Sequence, residues 1–473
     1  MKSAGLTTFA LVMLITGAVD SVRNLPAASL FGSTLIFFFI FSAIVFLIPT
    51  ALVSAELTAS NTEKSGIYHW VRSAFGDKTA FLAIWLQWIS NLVWFPTMLS
   101  FIAGMTAYLF NPALAQNKFY LVTVILITFW SLTLVNLRGL RVSAKITSFC
   151  TVFGLAIPMF LIIALAVFWV VQGNPIHVHF TLANLLPSFS HLESWTSLTA
   201  IMTAFSGMEL AAVHIKDIHN PQKTFPRALY FSVWLILITM ILGSLSIAVV
   251  LPQDHISLVN GVMQSFSAFF QAYHIEWFIP IITLMLLVGT LGGVVSWVIS
   301  PAKGLLQAAQ IGFLPDFLKK ENEHGVASNL LLMQAVIVSG VCCGFLFIPS
   351  VSACYWLLMA LSTQLYVLMY VMMFAACLYL RFGKNAPKTK SKTFTVPGGN
   401  YGLLATCILG FIGFAITLTV GFFPPEGVDV GSLLGYELTF CGGMLAMLLP
   451  VIGFYYYKNK KAGLVLQPAV EEI

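Results

Sequence analysis

Three ionisable side chains stand where an apolar chain should not carry them. Asp20 and Arg23 fall in the first long hydrophobic run and Glu209 in the sixth. An ionised group at the centre of a membrane helix costs about 2.5–3.5 kcal/mol on the insertion scale, so each should face a bundle interior or a wet cavity. Asp20 and Arg23 are three apart, which on a helix sets them on one face, able to pair. Such a pair either belongs to a binding site or merely neutralises itself and locks helix packing. The surrounding Thr16, Gly17, Ser21 and Asn24, closed by Pro26, add polar and helix-breaking groups where lipid alone would demand Leu and Val.

The sixth run breaks the same rules. In Phe205-Ser206-Gly207-Met208-Glu209 a glycine stands beside a carboxylate, and His214, Lys216, Asp217, His219, Asn220 and Pro221 follow. Glycine tolerates unwound backbone, whose freed amides and carbonyls can hold the polar groups of a solute. A carboxyl there suits proton coupling or service as a fixed acceptor, which makes Glu209 the coupling candidate.

The elements that must position these groups follow from composition. Of 473 residues 59% are apolar and only 8% are Asp, Glu, Lys or Arg, and the mean hydropathy is +0.92. A soluble domain carries roughly a quarter of its residues charged, so this surface faces lipid and a soluble enzyme is excluded. The runs are apolar on every face and near the ~20 residues a spanning helix needs, which excludes a β-barrel. Gly, Pro and charge mark twelve spans, from Leu6–Leu25 through Trp195–Ile215 for the sixth to Leu433–Tyr456. The first run is read as the first spanning helix and not as a removable signal, because Asp20 and Arg23 interrupt it and no small-residue cleavage site follows.

Alternate connections hold every Lys and Arg except Lys118 and Arg23, among them Lys64, Arg72 and Lys78, then Arg138, Arg141 and Lys145, then Lys384, Lys388, Lys390 and Lys392. The positive-inside rule then sets both termini in the cytoplasm and requires an even number of spans. Tyr68 and Trp70, and Tyr455 to Tyr457, read as interfacial anchors. Gly261–Phe270 reads as a short helix over the outer mouth. The net charge of +6 reports topology and not nucleic-acid binding, since no basic stripe interleaves with stacking aromatics. The seven cysteines lie in apolar runs without metal-ligand spacing.

Interrupted spans recur at positions one and six. An offset of five is odd, so the second element enters from the opposite side, the trace of a five-plus-five inverted repeat with a site between the broken helices. The expected organisation is residues 1–171 for the first repeat, 172–380 for the second, 381–457 for two further helices and 458–473 for a short tail. Other polar or aromatic groups inside spans are Gln87, Asn91, Ser296, Trp297, Gln364, Tyr366 and Tyr370, while His177, His179 and His191 occupy an outer loop. No nucleotide loop, nucleophile elbow or zinc helix occurs, so no catalytic residue, cofactor or metal is expected.

The run Phe205-Ser-Gly-Met-Glu209, with Asn220-Pro221 and Pro226-Arg-Ala228, resembles the sixth-helix signature of the amino acid/polyamine/organocation transporters. Gly261-Val-Met-Gln-Ser-Phe266, Ile275-Glu-Trp277, Ser296-Trp297, Pro301-x-Lys-Gly304, Phe394-Thr-Val-Pro-Gly-Gly399 and Phe423-Pro-Pro425 are similar to the bacterial glutamate/γ-aminobutyrate antiporter branch. The resemblance spans nearly the whole chain and implies an all-α, LeuT-like fold of twelve helices working by alternating access. It implies substrate contacts at Thr16, Gly17, Asp20, Ser21, Arg23 and Asn24, and at Phe205, Ser206, Gly207, Met208 and Glu209, with Phe205 as a gate. It also implies pocket or path roles for Trp297, Gln364, Tyr366 and Tyr370. The chain departs from that branch in its Asp20/Arg23 pair, in Gly293 where the branch carries an acid, and in its short tail.

The expectation is therefore a secondary amino-acid transporter in the bacterial inner membrane, an exchanger of glutamate/γ-aminobutyrate type, with lipid, amino acids and protons as partners. A proton-coupled symporter, an amino-acid sensor and a channel are the alternatives. The side-chain preference and the oligomeric state are not specified by the sequence.

Overall fold

The computed structural model describes residues 7–60, 66–139, 150, 152–187, 195–209, 221–383, 394–425 and 428–466. Among them all regular structure is helical. Lipid offers no hydrogen-bond partner to exposed backbone, so apolar runs of this length close their backbone bonds internally as helices. The first span is split into α1 (Thr8–Val19) and α2 (Leu25–Ser29). Then follow α3 (Gly32–Ala59), α4 (Ile67–Phe110), α5 (Lys118–Leu137) and α6 (Val152–Val171). The described part of the sixth span is α7 (Ser197–Phe205). It is followed by α8 (Pro221–Val250), α9 (Gly261–Ala272), α10 (Ile279–Gln310), α11 (Ser328–Phe347), α12 (Val351–Phe382), α13 (Gly399–Val420) and α14 (Leu433–Leu466).

Ten of the described helices, α3 to α6, α8 and α10 to α14, are long and apolar enough to cross a bilayer. Among the described residues the first and the sixth runs are each broken where the sequence predicted interruption, after Val19 and after Phe205, and residues 210–220 lie outside the described part of the sixth. Lys2, Lys64, Arg141, Lys145, His191, His214, Lys216, Asp217, His219, Asn220, Lys384, Lys388, Lys390 and Lys392 lie outside the described residues.

The centre of the bundle is α4, 78% of whose apolar window is buried against 11% for the peripheral α14. It packs along both α12 and α10, while α8 carries α1 and α6. The short α7 lies against α2, α3, α12, α13 and the single turn Val22–Asn24, so the two interrupted spans touch at the break. Glycines set two close approaches. Gly154 and Gly289 face each other so closely that a Cβ on either would strike the other's backbone, the small-residue contact that lets membrane helices α6 and α10 pack without a hydrophobic drive. Gly261, at the start of α9, sits on Pro26, which ties the outer helix expected at 261–270 to α2.

One expectation fails at the start of the third span. Helix α4 begins at Ile67, bends at Gly76 (φ 82°), and buries Tyr68 and Trp70 to 3% and 2% exposure. Those rings fill protein interior instead of anchoring in headgroups. Among the later group, Tyr455 donates its hydroxyl to the Lys78 carbonyl at 2.8 Å, and only Tyr456 is largely exposed.

Candidate functional site

Helix α1 ends because its last helical bond, Asp20 N–H to the Thr16 carbonyl at 2.7 Å, is followed by Ser21 in extended backbone (φ −154°, ψ 125°). One turn at Val22–Asn24 restarts the span, and Pro26 is tolerated at the start of α2, where no helical N–H is needed. The extended residue decides the fate of the charges between which it lies. Neighbours three apart meet only if the helix is continuous, and here they separate. Asp20 turns to α8, where its Oδ2 accepts the Thr239 hydroxyl at 2.8 Å. Arg23 turns to α4 and α12, where Nη1 donates to Thr97 Oγ1 at 3.0 Å and to the Tyr355 hydroxyl at 3.1 Å. The predicted Asp20/Arg23 ion pair is thus not formed.

The guanidinium lies 5.1 Å over the Trp94 ring, which also meets Trp297 at 5.4 Å between centroids. Such stacking partly replaces lost hydration of a cation. Both charged residues are buried, Asp20 to 5% and Arg23 to 2% exposure. Three atoms at this break have no hydrogen-bond partner among the described residues: Thr16 Oγ1, Asp20 Oδ1 and Arg23 Nε. Gly17 is exposed and Ser21 half-buried among buried neighbours, and Asn24 is buried. On α10, one turn before Trp297, the position of a Cβ on Gly293 meets nothing within 4 Å.

The second break follows Phe205, which is fully buried and rests on Phe39 at 5.6 Å. Gly207 adopts φ 109°, backbone that a residue with a Cβ rarely enters. Its freed N–H donates to the Tyr370 hydroxyl at 3.0 Å, and that hydroxyl donates in turn to Glu209 Oε2 at 2.6 Å. Tyr366 donates to Oε1 at 2.5 Å, and the Gln87 side chain lies against both the carboxyl and the Tyr366 hydroxyl. Met208 is buried, Ser206 is half-buried, and Thr203 and Thr363 join hydroxyls between α7 and α12.

Helix α12 serves as a ruler for the two clusters. Tyr355 and Tyr366 are eleven residues apart, which at 1.5 Å per residue is roughly 16 Å along the axis. Helix α4 gives the same order, with Gln87 beside Glu209 and with Trp94 and Thr97 beside Arg23. Arg23 and Glu209 therefore occupy two levels of one polar wall. Gln364 is turned elsewhere, for its Nε2 donates to the Thr417 carbonyl on α13 at 2.8 Å.

Sequence reasoning missed Trp94, Thr97, Tyr355 and Thr239, the partners of the first break. A stripe was available, since Gln87, Asn91, Trp94 and Thr97 recur at helical spacing on α4. It also missed Glu56, whose carboxylate near the end of α3 takes Arg381 Nη1 at 3.0 Å and the Val396 N–H at 2.9 Å. Among the described residues no group of three His, Cys, Asp or Glu side chains is placed to hold a metal ion.

The model of the family described as amino acid permease matches residues 6–446. A Legionella pneumophila protein named as an uncharacterized transporter is 39% identical over 440 residues, covering 93% of this chain and 94% of its own. The glutamate/γ-aminobutyrate antiporter of Lactococcus lactis is 29% identical over 482 residues, covering 99% and 94%. Among solved structures, the manganese transporter of Eremococcus coleocola superposes with a TM-score of 0.55 at 13% identity, over 96% of this chain and 94% of that one. The likeness at that identity is one of fold.

Proposed function

Since this chain belongs to the amino acid permease family and is a multi-pass secondary amino-acid transporter, we propose that it exchanges glutamate for γ-aminobutyrate or close analogues across a bacterial inner membrane. The observation that carries the reading is the contact between two interrupted helices, the Val22–Asn24 turn against α7, with unpartnered polar atoms on one side and a glycine-released amide on the other. In alternating access one group of helices rocks against another about a site at their interface, and in this proposal 1–171 and 172–380 are the inverted repeats whose interleaved helices form those groups, with both termini cytoplasmic. In this proposal Thr16, Gly17, Asp20, Ser21, Arg23 and Asn24 from the first break and Phe205, Ser206, Gly207, Met208 and Glu209 from the second contribute to the substrate path, with Trp297 at its side.

Glu209 supports a second element of the reading, proton coupling. A carboxyl enclosed by two tyrosine hydroxyls can change protonation without losing all its partners, because each hydroxyl donates or accepts. Counterflow in proteoliposomes separates the two modes. An obligate exchanger moves labelled glutamate only with substrate on the far side, whereas accumulation driven by a proton gradient alone makes the protein a symporter. Binding of an amino acid with neither flux would mark a sensor.

A further inference from the structure

We propose that Asp20 is a second proton site of the carrier, apart from Glu209, and that Thr239 is the hydroxyl that follows its change of charge. The inference rests on the transporter reading above and extends its proton-coupling element. Asp20 is 5% exposed, and its carboxyl has few partners. Oδ2 meets the Thr239 hydroxyl at 2.8 Å, the Ser21 N–H lies beside the carboxyl, and Oδ1 has no hydrogen-bond partner among the described residues.

No counter-charge stands beside it among those residues. Helix α1 carries no other ionisable side chain and packs on α8, whose Lys223, Arg227 and Tyr230 are exposed. The last of these is nine residues before Thr239, roughly 14 Å along the helix. Arg23 is held by Thr97 and Tyr355 over the Trp94 ring, and Glu209 by Tyr366 and Tyr370. A carboxylate buried without a partner of opposite charge is strongly disfavoured, and the ordinary resolution is to carry a proton. An ion pair with Arg23 would hold the carboxyl ionised. Their separation at Ser21 is what frees Asp20 to take the proton up.

The Thr239 hydroxyl lies 2.8 Å from Asp20 Oδ2, 2.8 Å from the Leu235 carbonyl and 3.1 Å from the Ile236 carbonyl. It has one hydrogen to give and two lone pairs to offer. With Asp20 ionised, that hydrogen serves Oδ2. With Asp20 protonated, it turns back to the Leu235 carbonyl one helical turn earlier, and Oγ1 accepts the acid O–H instead. Both arrangements use the same heavy-atom positions, so a proton is gained or lost by rotation about one C–O bond. Each interrupted span then carries one buried carboxyl served by hydroxyls of a neighbouring helix, Glu209 by α12 and Asp20 by α8.

The test is infrared difference spectroscopy of the reconstituted protein between acid and alkaline buffer, which reads carboxylic-acid carbonyl bands and needs no transport. The wild type should show an acid band that is lost at high pH, is absent from Asp20→Asn, is displaced in Thr239→Val and stays in place in Thr239→Ser. If Asp20→Asn does not fold, the Thr239 variants assign the band, and a spectrum unmoved in Thr239→Val overturns the proposal. No Asp20 band at any pH, or one that persists at every pH, overturns it as well. A band that responds to added sodium at fixed pH makes Asp20 a sodium ligand and overturns the proton site. Glutamate counterflow gives a second readout. Glu209→Gln should keep a shallower pH dependence that the double variant with Asp20→Asn loses, and a Glu209→Gln profile with no pH dependence overturns Asp20 as a coupling group. If no amino acid is exchanged at any pH the exchange reading fails, and the infrared band then decides the proton site by itself.

Discussion

The Tyr370 hydroxyl accepts the N–H that Gly207 releases and donates to the Glu209 carboxylate two residues on. One atom on α12 thus satisfies both the backbone freed by the sixth-span break and the charge that follows it. Tyr366, one turn earlier, donates to the carboxylate and meets the Gln87 side chain, but takes no backbone amide.

Tyr370→Phe should therefore cost more than Tyr366→Phe. The first leaves a buried amide and a carboxylate oxygen unpaired, each worth about 1–3 kcal/mol when orphaned, and the second leaves one. Thermal unfolding of the detergent-solubilised variants, read beside glutamate counterflow, should rank them in that order. Equal midpoints would mean that the Gly207 bond contributes nothing.

Glu209→Gln keeps the shape of the carboxyl and removes its titration. The pH dependence of transport should flatten in this variant while the protein remains folded. Normal activity with the wild-type pH profile would exclude Glu209 as the coupling group.

Trp94→Leu removes the ring face beneath Arg23 and the ring that meets Trp297. A cation–π contact away from water contributes about 2 kcal/mol, so the KM for glutamate should rise by roughly ten- to thirtyfold. An unchanged KM would show that the guanidinium is held by Thr97 and Tyr355 alone.

At the far end of α12 the Arg381–Glu56 bridge is nearly buried, with side chains 10% and 9% exposed, and Glu56 also holds the Val396 N–H. Either Glu56→Gln or Arg381→Gln should destabilise by about 3–5 kcal/mol, and the double variant by less than the sum, because the second change removes the orphaned charge. Additive losses in unfolding experiments would show that the two side chains are not coupled.

Gly289→Ala and Gly293→Ala lie one turn apart on α10 and should behave oppositely. The first drives a methyl into the Gly154 backbone and should lower stability and expression, whereas the second meets open space and should be tolerated in folding. Comparable losses in both would contradict the close approach of α6 and α10.

Lipid as solvent made much of this molecule legible in one dimension. Apolar runs must become helices, so the spans follow from hydropathy, and a charge or glycine inside a run marks where the helix rule yields. That is why both interruptions, at Asp20–Arg23 and at Gly207–Glu209, could be placed from residue types alone.

What spacing could not give is the direction in which each charge points. Three residues of separation implied that Asp20 and Arg23 meet, but a single extended residue, Ser21, rotates them toward different helices. Their partners Thr239, Thr97 and Tyr355 come from distant parts of the chain, brought together by packing around α4 and α12. Nothing local in Gln364 tells it from Tyr366, two residues away, yet the pitch of α12 turns one to α13 and the other to Glu209. Sequence determined that charge is buried in this bundle and at which positions. Tertiary structure decided which charges remain unsatisfied, because hydrogen bonds between helices depend on the rotation of each about its axis, and hydropathy does not encode that rotation.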